Sequence, residues 1–319
     1  MGMQIDLSKF LTPQKIKDYI KSSPVQPRTI TSELYSRDVD TYDSPVYPYA
    51  EIQEVTGNVP LVLRGGEAVN VAGDVAKYNF IEVQPIDIKE TLNPVDILNM
   101  KALGDASVEK IVKQKINKFR RIVLDTIEAL AAQSISGKIS YQIKTQTGLD
   151  TFDVIFGTVK DLSPSTAPTS LKDLYKLLVD MESAVQEKGY GQKIKVYAGK
   201  TAFAQILDMA MSYSGKTIYV EQKDGGLYIG NYFVRPVTSG YKDKSGNFVK
   251  AIPDTKIKMI DTAAPFRLRY LAIDDFRANL KAMPLFVAQK NDGKSIELEA
   301  QSKPFLIPVT DAIADATIA

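Results

Sequence analysis

Apolar side chains recur near the helical period at Val108, Ile111, Ile116, Phe119, Val123, Ile127 and Leu130, which predicts one long helix ending near Gly137. Asp105 or Ser107 can cap it. Leu171, Leu174, Leu178, Met181 and Val185, spaced three and four apart, predict a second amphipathic helix, and residues 201–211 a shorter one. Between and after these helices the pattern turns to strand: Lys193–Ala198, then stretches near 217–221, 227–235 and 255–261, and finally Ile296–Ala300 and Pro304–Val309. Helices interleaved with strands indicate a mixed α/β or α+β body.

The first half of the chain is patterned differently. Thr12-Pro13 makes a good cap and first turn for a short helix with Ile16 and Ile20 on one stripe, but Pro24 and Pro27 stop it, so residues 1–31 read as an arm. From Ile30 to Ala50 the Thr, Tyr, Val, Ser and Pro content suits short strands and turns. Two β-rich runs, around Val59–Leu63 and Lys77–Lys89, then flank the glycine-bearing stretch Arg64–Asp74, and Ile86 and Ile88 alternate with Asp87 and Lys89. This is the layout of a long hairpin with a supple tip; an ordinary surface hairpin would look the same. Residues 138–168 return to strand and loop and end in a Ser/Pro/Thr cluster at 163–170, the best candidate junction between two units. Gly240–Gly246 reads as a polar hairpin loop.

Composition narrows the function by exclusion. At 319 residues the chain has length for roughly two compact units of about 150 residues, and 44% hydrophobic with 24% charged residues is ordinary globular material. The 40 Lys and Arg against 38 Asp and Glu leave a formal charge of +2, too little field for a dedicated nucleic-acid binder. Cysteine and histidine are both absent, which removes disulfides, thiolate nucleophiles, His-based triads and the commonest transition-metal ligand together. No stretch reaches the roughly 18 apolar residues of a membrane span.

Three features could carry chemistry. Ala210–Thr217 (AMSYSGKT) satisfies a relaxed phosphate-loop pattern with alanine for the first glycine. A true phosphate loop joins a buried strand to the helix whose N-terminus meets the phosphates, whereas here a helical pattern precedes and a strand-like Ile218-Tyr219-Val220 follows. The adjacent Asp274 and Asp275 would face opposite ways on a strand and suit solvated surface charge better than acid-base or cation chemistry. The first half of the long helix carries Lys110, Lys113, Lys115, Lys118, Arg120 and Arg121 against only Glu109, a basic face that is either a solvated surface or a site for an acidic scaffold or another subunit. No catalytic, cofactor or metal residue is assigned.

The order of parts resembles the Hong Kong 97 capsid fold and, more narrowly, the lambda-type major head protein family, often called major capsid protein E. Thr56–Pro94 is similar to that family's extended loop, including Arg64-Gly65-Gly66 and Asn93-Pro94; Arg120–Tyr141, with Gly137-Lys138, resembles its spine helix. Leu227–Asp261, with the Pro253-Asp254 turn, looks like its strand–loop–strand segment, and Ile296–Ala319 keeps Ser302, Pro304 and Pro308 of its terminus.

The resemblance implies an α+β fold divided into an N-terminal arm (1–31), the first part of a peripheral domain (32–50), an extended loop (51–92), a peripheral domain with a spine helix at about 107–137 (93–165), an axial domain (166–275) and peripheral C-terminal strands (276–319). It implies a structural subunit, no enzyme, that forms hexamers and pentamers of an icosahedral tailed-phage head around double-stranded DNA. An encapsulin-like compartment or a gene-transfer-agent head stays open as an alternative. Assembly contacts fall to the loop tip, Arg64, Gly65, Gly66, Gly73 and Asp74, and to the helix's basic Lys110, Lys113, Arg120 and Arg121. Partners would be copies of itself, a scaffold or protease, a portal, a decoration protein where one exists, and weakly held DNA, in a virion assembled in the bacterial cytoplasm. With no long N-terminal extension ahead of the arm, the scaffold would be a separate protein.

Overall fold

The computed structural model describes residues 10–22, 29–53, 75–92, 105–145, 148–215, 217–242, 245–291 and 296–319, with 95, 99 and 102 also placed. Four α-helices run through them: α1 (Pro13–Lys21), α2 (Asp105–Ser134), α3 (Leu171–Gln186) and α4 (Lys200–Met211). The 30-residue α2 is the long element the periodicity predicts, about 45 Å at 1.5 Å per residue. Val108, Val112, Ile116, Phe119, Val123, Ile127 and Leu130 are all buried along one side of it. Gly137 stops the chain at φ 83°, its N–H donating to the Ser134 carbonyl, a left-handed exit that glycine adopts freely.

Two cores result. One lies along α2 and takes in Leu268, Leu298, Phe305 and Leu306 from the strands packed on it. The other lies between helices α3 and α4 and one face of a seven-stranded mixed sheet. That sheet runs in the order Lys160–Asp161, Ile313–Thr317, Lys256–Asp261, Ile194–Ala198, Tyr232–Pro236, Gly226–Ile229 and Val220–Lys223. Period-2 alternation divides its faces: Val196, Ala198, Ile257 and Met259 point to the helices, while Tyr197 and Ile260 belong to the first core. Two of its strands come from outside 166–275. The last, Ile313–Thr317, pairs antiparallel with Lys256–Asp261, and Lys160–Asp161 adds parallel beyond it. The chain terminus is thus shared between the two regions.

The stretch read as an arm is docked on the body over residues 10–22. Its own apolar stripe does this: Phe10, Leu11, Ile16 and Tyr19 are buried in the first core, and Tyr19 Oη donates to Glu109 Oε1 of α2 at 2.9 Å. Just after it, a π-helical turn at Thr31–Tyr35 is held by Glu128, whose carboxylate accepts from the Ile30 and Thr31 amides at 2.9 Å each.

The hairpin also departs from the predicted pairing. Val46–Gln53 pairs antiparallel with Val75–Glu82, so its first strand starts earlier than residue 51. The run predicted as Lys77–Lys89 is two strands, because the chain leaves strand geometry at 83–85, where Pro85 has no N–H to donate. The second of them, Ile86–Leu92, pairs with Ile296–Ser302, which in turn pairs with Phe286–Asn291. The other predicted run, Val59–Leu63, lies outside the described residues.

Candidate assembly surface

The ribbon Val46–Gln53 with Val75–Glu82 forms a sheet of its own two strands, and among the described residues no third strand joins it. Among the described residues neither outer edge is paired with a further strand, and Phe80 on the ribbon is 74% exposed. The ribbon is anchored at its base. Ile86–Leu92 is locked by register from Ile86 opposite Ser302 to Leu92 opposite Ile296. Glu90 on that strand accepts from Lys115 and, at 3.1 Å, from Lys118, both on α2. The Lys115 bond holds the Glu90 carboxyl below its ordinary range, more than partial burial raises it, and Lys118 adds to the effect.

The basic face of α2 is therefore divided. Lys115 and Lys118 are committed to the loop base, Lys110 and Arg121 are exposed, and Lys113 and Arg120 are half-buried. At roughly 100° per residue, Lys110, Lys113, Arg120 and Arg121 fall on one sector beside the buried stripe. Burial depresses the Arg120 guanidinium, with the Tyr270 phenol opposing, and Tyr270 is itself pushed up to about 12 by burial. The loop-tip residues Arg64, Gly65, Gly66, Gly73 and Asp74 lie outside the described residues.

One cluster escaped sequence reasoning. Glu33, on the π-helical turn, accepts from Tyr197 Oη at 2.5 Å, Lys195 Nζ at 2.9 Å and Arg235 Nη1 at 2.6 Å, all on the seven-stranded sheet. Burial pushes its carboxyl up, but the bonds from Tyr197 and Lys195 and the two cations outweigh that and leave it lowered. It ties the N-terminal segment to the sheet. No motif marks it, because its partners lie far off in sequence.

The features that suggested chemistry resolve otherwise. Helix α4 precedes the phosphate-loop-like stretch and the strand Val220–Lys223 follows it, the reverse of a phosphate loop's order, and Lys216 lies outside the described residues. Asp274 pairs with Lys303 at 2.5 Å, whereas Asp275 pairs with Arg277, so the two aspartates serve different ion pairs. Among the described residues no carboxylate cluster could hold a metal ion, and no helix is long and apolar enough to cross a membrane.

A beam-like helix, a two-stranded ribbon anchored at its base and joined by no third strand among the described residues, and a sheet-and-helix body that shares its closing strand with the rest of the chain define a structural, shell-building subunit with the Hong Kong 97 type of α+β fold. The chain belongs to the phage major capsid protein E family, whose model matches residues 12–318. It is a major capsid protein of phage or prophage type, a virion component that assembles with its own copies, and not an enzyme. Among solved structures it is similar over its full length to a protein assigned as the capsid protein of a prophage from E. coli CFT073 (TM-score 0.59, 11% identity, 100% of both chains). It is also similar to the capsid of an empty GTA particle computed with C5 symmetry (TM-score 0.52, 11% identity, 93% of this chain and 92% of that one). No curated protein matches.

Proposed function

We propose that this subunit builds the icosahedral head of a tailed phage or prophage by closing into hexamers and pentamers that enclose double-stranded DNA. The observation that supports this most is the ribbon of Val46–Gln53 and Val75–Glu82. A two-stranded ribbon alone is marginal in water, yet this one is paired with nothing else among the described residues. Its edges suit strand addition to a neighbouring copy, and repeated head-to-tail contacts between unlike patches close into rings when the rotation permits.

In this reading residues 166–275 form the axial domain around the capsomer axis, α2 is the spine, residues 51–92 reach over an adjacent subunit, and residues 276–319 return to the periphery except for the shared last strand. Arg64, Gly65, Gly66, Gly73 and Asp74 make the contact at the loop tip, and Lys110, Lys113, Arg120 and Arg121 meet a neighbour or an acidic scaffold. A scaffold or protease, a portal and, where present, a decoration protein complete the particle, which assembles in the bacterial cytoplasm. A formal charge of +2 suits a wall that touches packaged DNA loosely and nonspecifically.

Deleting Gly65–Gly73 tests the reading. The expected product is a soluble, folded subunit that no longer forms closed shells in negative-stain micrographs. Normal shells from the deletion would remove the loop from its assigned role. Particles that carry a protein cargo and no DNA would move the protein to an encapsulin-like compartment.

A further inference from the structure

Residues 30–37 hold both halves of the molecule, and they do so with alternate side chains. Thr31 and Tyr35 turn to α2. The Thr31 hydroxyl donates to Glu128 Oε2 at 2.6 Å, and the Tyr35 hydroxyl donates at 2.6 Å to Ser134 Oγ, whose own proton goes to the Ala131 carbonyl at 2.7 Å. Glu33 and Arg37 turn to the seven-stranded sheet. Glu33 takes Lys195, Tyr197 and Arg235, and Arg37 Nη1 donates at 2.6 Å to the Thr262 carbonyl just past the strand Lys256–Asp261. The split falls on the π-helical turn Thr31–Tyr35, a rare form found frequently at functional sites.

The two sides differ in how firmly they hold. On the α2 side Leu34 and Tyr35 are buried in the first core, and Tyr35 packs edge-on against Phe266 with ring centres 5.6 Å apart. On the sheet side the bonds of Glu33 are all polar and reach water: Arg235 is 43% exposed and Lys195 33%. Ion pairs at that exposure are screened by salt and break at far lower cost than a buried aromatic anchor. Glu33 is therefore where the segment lets go of the sheet while keeping its hold on α2. The body it would release has its own core between α3, α4 and the sheet, distinct from the core along α2. The two cores meet along one face of the sheet, at side chains such as Tyr197, Ile260 and Ile313, and layers packed in this way can shear by small sliding.

We propose that residues 30–37 are a two-faced clamp that sets the angle between α2 and the seven-stranded sheet, with Glu33 as its releasable side, and that this angle sets the curvature of the assembled shell. The inference rests on the shell-building reading above. A closed shell of fivefold and sixfold rings places identical chains in unequal surroundings, so the angle between a chain's two bodies decides which rotations its contacts can close. Glu33 is thus a positioning residue that touches no neighbouring copy.

The chain has no cysteine, so spin labels on a Gln114→Cys/Lys176→Cys pair, one exposed on α2 and one exposed on α3, read the angle as a distance in full-length chain diluted with unlabelled chain. Glu33→Gln and Arg235→Gln, introduced singly, are expected to keep the far-ultraviolet circular dichroism of the wild type and to widen the label distance distribution at least twofold. The same variants are expected to at least double the spread of particle diameters in negative-stain micrographs. Combining them should do no more than either alone, because both cut one bond. Lys138→Gln, which cuts an exposed ion pair with Asp153 inside a single hairpin, is expected to change neither readout.

Wild-type distances or wild-type diameters in both folded single variants would overturn the proposal, as would equal broadening by Lys138→Gln. Should Glu33→Gln fail to fold, Arg235→Gln decides. A wild-type chain that forms no shells would overturn the shell-building reading and the curvature role with it, while the label distances still decide the clamp.

Discussion

Lys258 and Asp315 stand directly opposite each other across the paired strands Lys256–Asp261 and Ile313–Thr317, with Nζ and Oδ2 2.9 Å apart and both residues buried. Lys256 approaches the same oxygen at 3.4 Å. The pair lies where the chain terminus enters the large sheet, so it fixes the register of the closing strand. Burial holds the Lys258 ammonium below its ordinary range even though Asp315 raises it. Asp315→Asn leaves that cation buried without its counter-charge and should destabilise the subunit by about 3–5 kcal/mol. A Lys258→Met/Asp315→Leu double variant, which removes both charges, should lose markedly less than the sum of the two single changes. Urea melts of Asp315→Asn, of Lys258→Met and Asp315→Leu singly, and of the double variant measure this; additive losses would mean the two side chains are independent.

The difference between what was and was not legible beforehand follows from range. Helix α2 was readable because its burial pattern repeats every three or four residues within one segment, and Leu171 to Val185 likewise. Pairing was not, since nothing local in Ile86–Leu92 selects Ile296–Ser302 as its neighbour. The same holds for Ile313–Thr317, whose sequence IADAT has low strand propensity and becomes a strand because the edge of Lys256–Asp261 is there to receive it. Residues 10–22 read as an arm because prolines bracket them, and only the assembled core shows where Ile16 and Tyr19 dock. Glu33 is one acidic residue among 38 until its partners, 162 to 202 positions away, are brought to it.

The Glu33 cluster should make the junction acid-labile. Its carboxyl is held below the ordinary glutamate range in the folded chain by the Tyr197 and Lys195 bonds and the neighbouring cations, which outweigh burial, so the unfolded chain takes up the proton first as pH falls. The stability this group contributes is complete above the unfolded value and is lost as pH drops through the folded one. Glu33→Gln should therefore lower the urea midpoint at pH 7 while making the variant less sensitive than wild type to a shift from pH 6 to pH 3.5. Equal acid sensitivity of the two proteins would show that the cluster does not couple protonation to folding.

The exit from the spine helix offers a steric prediction. A Cβ on Gly137 would stand 2.3 Å from the Gly157 carbonyl oxygen, and the φ of 83° is unfavourable for any side chain. The same residue's carbonyl accepts from the Phe156 amide at 2.9 Å, closing the base of the hairpin that follows. Gly137→Ala should cost about 2 kcal/mol or more, whereas the same change at Gly148, with nothing near its Cβ, should be milder because it meets strain without a clash. Thermal melts of the two variants give the comparison, and a neutral Gly137→Ala would refute the close approach.

Nucleotide binding is the activity that the AMSYSGKT stretch would suggest from its letters. Phosphate is held at such a loop by amides at the N-terminus of a helix that leaves it. Here the helix arrives instead: α4 ends at Met211, presenting carbonyls towards residues 212–215, and these repel an anion. Tyr213 then covers the exit, its hydroxyl accepting from the Ile218 amide at 3.1 Å and the Thr217 amide at 3.3 Å, so two donors that could have met a phosphate are already engaged. Calorimetric titration of the subunit with magnesium ATP should show no stoichiometric binding, and Lys216→Ala should leave the trace unchanged. Micromolar binding abolished by that substitution would require a phosphate site built against the helix direction.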